Sequence, residues 1–415
     1  MRVQDIPVFG NLSDVRVAFS GVNIACPFAA CLMSEHGART INIEPAERPE
    51  NARNRATPYG FLAERRNELC LNLDLAGKRG QEVFLDLMKE TDIFLEGYKG
   101  GTFAKWGLTD EKMWEANPKL VIVHISGFGQ TGRPEYVSRP SYDAIGQCFG
   151  GITFLNGEED GEPQTAKLYT GDYITALFAC WSSLAALLAA RSTGKGESVD
   201  VAMGEALWKV QYDYPLTYFR EGVIKGRMGN NDPKYLGLGA YQCSDDKYVF
   251  MSLSGFGPIS KAANAMGYED PELDLKSTMI LLRNNPVHQR FDAALHEFCL
   301  QHTAEEIDNI FWEASVPCAR TYNIETIQEN PQIQARDVFG EWEDKHFGTL
   351  KGVNPVPKMT NRPGQIWTGA RYWGEDNDDI LKELGYSDEA IEELYESGVM
   401  TRTPENGGYP IPPAR

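Results

Sequence analysis

The sequence predicts an α/β protein, a parallel sheet with helices on both faces, accompanied by a second, smaller domain. Three observations carry that expectation. Short apolar strand patterns alternate with helical ones through the first half of the chain, as crossover-connected parallel strands require. Near residue 221 the composition turns dense in Gly, Asn and Lys, in EGVIKGRMGNNDPKYLGLG, which reads as a loop or linker. Farther on, the Pro-punctuated segment NPVPKMTNRPGQI (354–366) is extended and leads into two acidic helical stretches.

In chain order, VRVAFS (15–20) is the first expected strand, and PFAACLMSEHG (27–37) is a helix that stops at Gly37. TINIE (40–44) is the next strand. GQEVFLDLMKET places apolar residues at 83, 84, 87 and 88, one face of a helix. DIFLE (92–96) and LVIVHIS (120–126) are short apolar strands. Ligands of such sheets sit beyond the carboxyl ends of the strands. KLYTGDYITALFACWSSLAALLAA (167–190) is a long apolar helix ended by STGKGE, and SVDVAM (198–203) returns as a strand. EALWKVQYDYPLTYFR (205–220) reads as a helix that Pro215 kinks or stops. After the linker, AYQCS and YVFMSLS form a hairpin around DDK. TAEEIDNIFWEA carries Thr303 as a cap and Glu306 at the capping-box position. The two acidic helices are expected at 377–385 and 387–397.

A chain of 415 residues holds two or three domains, each with its own core. Its formal charge of −19 argues against nucleic acid and anionic membranes as partners. An anionic ligand would need a local basic pocket. The eight cysteines form no CxxC pair and no zinc-spaced cluster with histidine, so reduced thiols in a cytoplasmic protein are expected, with no metal site. MRVQDIPVFGNL lacks the apolar core of a signal peptide. The uncharged run from Ile174 to Ala190 is 17 residues, at the short limit of a membrane span, and reads as a buried core helix.

GFGQTG (127–132) follows a strand and matches G-x-G-x-x-G, but Arg133-Pro134 and a polar loop come next. A dinucleotide fingerprint must open a helix, so a turn at the strand's carboxyl end is the reading here. The six histidines show no ligand spacing, and His124 lies inside an apolar strand. No G-x-S-x-G elbow is present. Asp172 opens the long apolar run, a good N-cap position. There the backbone N–H groups would hold it ionised, and an ionised carboxylate can attack an activated carbonyl. Gly171 before it would permit close approach of a ligand or a neighbouring backbone.

The segments FSGVNIACPFAACLMSEHGARTINIE, RRNELCLNLDL, TDIFLEGYKGG, NPKLVIVHISGFGQTG, SYDAIGQCFGG, GDYITAL, TGKGESVDVAM and NRPGQIWTG follow one another in this order. In them, over nearly its full length, the chain resembles the class III coenzyme A transferases, the CaiB/BaiF family. It implies a large Rossmann-like coenzyme A domain built from residues 1–222 and 329–415 and a smaller α+β domain at 223–328. It further implies an interlocked-ring homodimer. Asp172 corresponds to the family's nucleophile. YLGLGAY, with Gly237 and Gly239, corresponds to a glycine loop that closes over the site, although on its residues alone it is equally a hairpin-entry loop. Lys99 and Lys105 are expected at coenzyme A phosphates. Trp106 is expected at the adenine or in the core, and the backbone of Val22 to Ala25 and of Leu73 near the nucleotide.

The implied substrates are an acyl-CoA and a small carboxylic acid, with coenzyme A as the only cofactor-like group. The resemblance is nearest to carnitine-type transferases, so a carnitine- or γ-butyrobetaine-like acceptor is expected, with a bile acid as the alternative. Tyr136, Tyr142, Tyr169 and Trp208 are candidates for an aromatic cage around a trimethylammonium group. Two other functions compete. An α-methylacyl-CoA racemase would need a histidine before Asp143, where this chain has Tyr142. An inactive coenzyme A-binding subunit would not need Asp172.

Overall fold

A computed structural model describes residues 6–55, 57–255 and 257–409. The N-terminal reading rests partly on residues 1–5, outside the described residues. The chain divides into two units, one of residues 1–153, 165–222 and 337–415, the other of residues 154–164 and 223–336.

In the first unit, β1 (Arg16–Gly21), β2 (Arg39–Pro45), β3 (Glu68–Leu73), β4 (Ile93–Gly97), β5 (Val121–Ser126) and β6 (Ser198–Ala202) form one sheet. Its order is β3-β2-β1-β4-β5-β6 and every pairing is parallel. The order reverses between β1 and β4, the doubly wound arrangement whose ligands bind at that switch point.

Side chains alternate across the sheet with the two-residue strand period. Ala18, Phe94 and Ile122 pack on one face with Val83, Phe84 and Leu87 of α3 (Lys78–Lys89). Val17, Phe19, Leu95 and Val123 pack on the other with Ala29 and Met33 of α1 (Ala25–Glu35). Both faces are buried, which is why the central strands read as continuous apolar runs. The remaining helices up to the second unit are α2 (Tyr59–Glu64), α4 (Thr102–Trp106), α5 (Asp110–Ala116), α6 (Pro134–Val137), α7 (Asp143–Phe149), α8 (Ile152–Leu155), α9 (Thr170–Thr193), α10 (Met203–Lys209) and α11 (Tyr214–Glu221).

Two expectations are corrected along this stretch. The helix anticipated at 205–220 is divided into α10 and α11, and Pro215 sits in the first turn of α11 instead of ending a helix. A proline lacks the N–H that the first turn leaves unpaired, so it starts a helix without cost. Asp172 is the third residue of α9 and not its N-cap, which is Tyr169.

α9 covers the sheet with a stripe of small residues. Thr175, Ala176, Ala179, Ser183, Ala186, Leu187 and Ala190 are buried, and the alanines and Leu187 join the core beneath β5. Among the described residues it is the one helix long and apolar enough to cross a membrane.

The second unit has its own core, with Val249, Met251, Phe291, Leu295, Ile307 and Phe311 fully or nearly fully buried. The strands β8 (Leu238–Gln242) and β9 (Tyr248–Ser252) pair antiparallel and are preceded by β7 (Tyr235–Leu236). The Thr303 capping box is present, with the Glu306 N–H donating to Thr303 Oγ1 at 3.2 Å and the Thr303 N–H to Glu306 Oε2 at 2.8 Å. Residues 154–164 join this unit from within the first half of the chain. They are tied by the Gly229 N–H donating to the Gly157 carbonyl at 2.9 Å.

The C-terminal segment completes the first unit. Its residues cap the outer edge of β3, where the Cys70 N–H donates to Asp376 Oδ2 and the Asn72 N–H to Asn377 Oδ1, both at 2.9 Å. A sheet edge left bare would present unpaired donors and acceptors to other chains.

Candidate active site

The site is set by two glycines at the switch point. Gly21 and Gly97 end β1 and β4 and stand opposite each other in register. A Cβ on Gly21 would lie 2.8 Å from the Cys26 sulfur, and one on Gly97 2.7 Å from the Cys26 Cβ. Only glycine lets α1 begin this close to both strand ends. The result is a cavity of about 230 Å³ lined by Val22 and Ala25 before and in α1, Lys99 after β4, Arg139 and Tyr142 before α7, and Asp172 on α9. Gly127, the first glycine of GFGQTG, also lines it. That motif is a strand-end turn, with the Gly129 N–H donating to Ser126 Oγ at 2.9 Å.

Asp172 is the carboxylate of the cavity wall among the described residues. It is positioned by Asp143, the first residue of α7, whose Oδ1 accepts from the Asp172 N–H at 3.1 Å. Asp143 is in turn fixed by Gln147, whose Nε2 donates to Asp143 Oδ2 at 2.7 Å. Gln147 is locked by both polar groups of the Ala166 backbone. Gly171 makes this approach possible, since a Cβ there would meet Asp143 Oδ1 at 3.0 Å and Met203 Sδ at 3.3 Å. Close approach at Gly171 thus serves neighbouring side chains of α7 and α10.

The charge state of Asp172 departs from the expectation of a fully ionised cap. Burial, and then the Asp143 and Glu64 carboxylates, push its carboxyl up to about 7. Glu64 is itself buried and accepts from the Tyr173 hydroxyl at 2.6 Å. Removal from water and like charges both disfavour a carboxylate, and here they prevail over the helix N-terminus. Cys26 lies in the same wall, but burial above all holds its thiol well above the usual range, which leaves it un-nucleophilic.

The remaining expected site residues fall in different places. Lys105 is exposed on α4. Trp106 packs edge-on against Tyr98 at 5.4 Å between ring centres and against Phe103 at 5.3 Å. The Leu73 side chain is buried in the core at the end of β3. None of the three lines the cavity. Gly237 and Gly239 lie in the second unit with φ of 72° and 150°, and the Gly237 N–H donates to Asp292 Oδ1 at 3.3 Å. Of the aromatic candidates, Tyr142 lines the cavity and is 69% exposed. Tyr136 instead packs against Phe128 and Phe149, and the Arg139 guanidinium lies over the Phe128 and Tyr136 rings. Trp208 stacks on Tyr214 and donates to the Phe149 carbonyl. Arg139 and Asp143 are the residues that sequence reasoning missed as site members. The segment SRPSYDAIG held both, but nothing local shows that it folds back against α9.

These features define a doubly wound α/β protein that presents a charge-tuned carboxylate and two cations to a cavity at its switch point. No histidine lines that cavity among the described residues, so the acid/base partner of a proton-transfer isomerase is missing. Residues 12–377 match CoA-transferase family III, and the chain belongs to that family. It is an enzyme, a class III CoA-transferase.

The chain is 39% identical over 402 residues to the bile acid CoA-transferase BaiK of Clostridium scindens, spanning 96% of this chain and 91% of that protein. It is equally 39% identical, over 399 residues, to the L-carnitine CoA-transferase of Proteus mirabilis, with 95% and 97% coverage. Among solved structures, a CaiB/BaiF family protein from Brucella suis superposes with a TM-score of 0.77 at 25% identity, covering 91% of this chain and all of that one. Rv3272 from Mycobacterium tuberculosis shares the fold, with a TM-score of 0.75 at 20% identity and 89% and 99% coverage.

Proposed function

We propose that Asp172 is the nucleophile of a transfer in which coenzyme A passes from an acyl-CoA to a free acid through an aspartyl-CoA thioester. The observation that carries this reading is the position of Asp172 as the carboxylate of a cavity that also holds Lys99 and Arg139. The Asp172 carboxylate attacks the thioester carbon, the C–S bond breaks, and a mixed anhydride and a thiolate result. The thiolate attacks the aspartyl carbonyl, the donor acid leaves as carboxylate, and coenzyme A is held on Asp172. The acceptor carboxylate then attacks this thioester and the two steps reverse. Each tetrahedral oxyanion calls for backbone N–H donors; the Gly237 N–H, one of the expected donors, is held by Asp292 Oδ1 within the second unit.

Coenzyme A enters along the switch point. Its phosphates meet Lys99, Arg139 and the uncapped first turn of α1, at Val22 to Ala25. Lys105 supplies an outer point charge, Trp106 backs Tyr98 of the cavity wall, and the Leu73 backbone lies by the nucleotide. The acceptor is a carnitine- or γ-butyrobetaine-like acid. The relationship to the L-carnitine CoA-transferase and the exposed Tyr142 ring on the cavity wall support this reading. The bile-acid reading stands second, supported by the relationship to BaiK.

The active form is a homodimer of interlocked rings. α9 carries an unpaired apolar face opposite its buried stripe, with Trp181 59% and Leu188 72% exposed, and the acidic, cysteine-reduced chain works in the cytoplasm.

The test is to incubate the protein with an acyl-CoA and each acceptor in turn, and to trap the enzyme thioester with hydroxylamine or borohydride. Label at Asp172, and loss of transfer in Asp172→Ala, are expected. Transfer that survives Asp172→Ala would overturn the reading.

A further inference from the structure

His124 is buried, 7% exposed, on the face of the sheet away from Asp172, and the transfer chemistry does not use it. It is nonetheless the centre of a chain of contacts. Its Nδ1 lies 2.7 Å from Glu96 Oε1 on the neighbouring strand, and its Nε2 lies 3.0 Å from Asp110 Oδ1 at the start of α5. Glu96 uses its other oxygen to accept from the Tyr98 N–H at 2.8 Å. Gln130 Nε2 donates to Glu96 Oε1 at 3.4 Å, and Gln130 Oε1 accepts from the Gly101 N–H at 3.0 Å. Both ends of the turn that carries Lys99 are therefore held by side chains that meet at Glu96, which His124 in turn holds.

We propose that Glu96, His124 and Asp110 are the positioning residues of the coenzyme A side of the site, a histidine between two carboxylates fixing the turn that presents Lys99. This rests on the assignment of Lys99 to a coenzyme A phosphate. Burial pulls His124 down, but its hydrogen bonds to Asp110 and Glu96, and the charges of both, hold it up at about 10. The other charged groups around it, Glu111 and Asp200, are acidic as well. Asp200 is its register partner on β6 and accepts from the Gln130 N–H at 2.8 Å. The charge on His124 is thus constant over the working pH range, as a fixed positioning element requires.

The test is steady-state kinetics and coenzyme A binding by calorimetry on the full chain and its variants. His124→Gln should raise KM for the acyl-CoA by about fivefold or more, with kcat within about twofold and the acceptor KM unchanged. Lys99→Ala should add less in that background than in the native one, because both changes act on one turn. Glu96→Gln keeps an oxygen for the Tyr98 N–H but removes one carboxylate from His124. The amide nitrogen it turns toward His124 and Gln130 cannot accept from either, so its acyl-CoA KM should rise at about pH 6 and about pH 9 alike, with kcat within about twofold.

A folded His124→Gln or a folded Glu96→Gln with native acyl-CoA KM overturns the inference. If Lys99→Ala itself leaves the acyl-CoA KM unchanged, the assignment of Lys99 fails, and this inference with it. If Lys99→Ala raises KM and His124→Gln does not, the inference fails alone.

Discussion

Asp172 has to be ionised to attack, yet burial and its neighbours hold its carboxyl near 7. The transfer rate should therefore climb as pH rises through about 7, on an acidic limb that belongs to the nucleophile. Asp143→Asn keeps an oxygen for the Asp172 N–H, though not the bond from Gln147, while removing the like charge that after burial raises Asp172 most. It should move that limb to lower pH and make transfer at about pH 6 roughly three- to tenfold faster relative to the plateau. A limb that stays in place would show that Asp143 acts only through position. The same shift has a stability sign. A carboxyl raised on folding contributes stability that is full below its unfolded value and lost as pH rises through the folded one. Asp172→Asn should accordingly be more stable than native by roughly 1–3 kcal/mol at about pH 8, with the difference gone below about pH 4. Urea melts at the two pH values measure it. The sequence marked Asp172 as the notable charge of its segment, but not its setting. The helix starts at Thr170 and is anchored by an aspartate 29 residues upstream, a contact that no local pattern encodes.

The two sides of α9 make different predictions for the same change. Leu187 is buried against the sheet and Leu188 is 72% exposed. Leu187→Ala should destabilise the protein by roughly 2–4 kcal/mol, since it opens a cavity in the core. Leu188→Ala with Trp181→Ala should cost much less in a urea melt, since both side chains face away from the core. Equal loss of stability from both would show that the exposed face is packed after all. Legibility varied in the same way from element to element. β1, β4 and β5 were readable because both their faces are apolar. β3, ELCLNL, was not read as a strand, because Glu68 and Asn72 break its pattern. Asn72 is satisfied by Asn377 and by the Thr401 carbonyl, some three hundred residues away, and burial holds the Glu68 carboxyl well above its usual range. The hairpin of Phe339–Asp344 and Gly348–Val353, too, went unread, because half its residues face solvent.

At the scale of the whole chain, the first unit is built from both ends while the second interrupts it, so the two should separate under truncation. The C-terminal segment closes the β3 edge through Asp376 and Asn377, and it adds Ile380, Leu381 and Leu394 to the core that also holds Phe84 and Phe94. A chain ending at Arg336 loses all of this but retains every residue of the second unit. Hydrogen exchange should then show β8 and β9 still protected, because their core of Val249, Met251 and Phe311 is complete. β2 and β3 should exchange freely, because an open edge and a core that has lost Ile380, Leu381, Ile391, Leu394, Val399 and Met400 cannot hold a parallel sheet. Residues 337–415 added in trans should restore protection at β3, as they carry the missing edge and core contacts. Protection at β3 without them would mean that the sheet closes on itself, and that the return of the chain is not what completes the site-bearing unit.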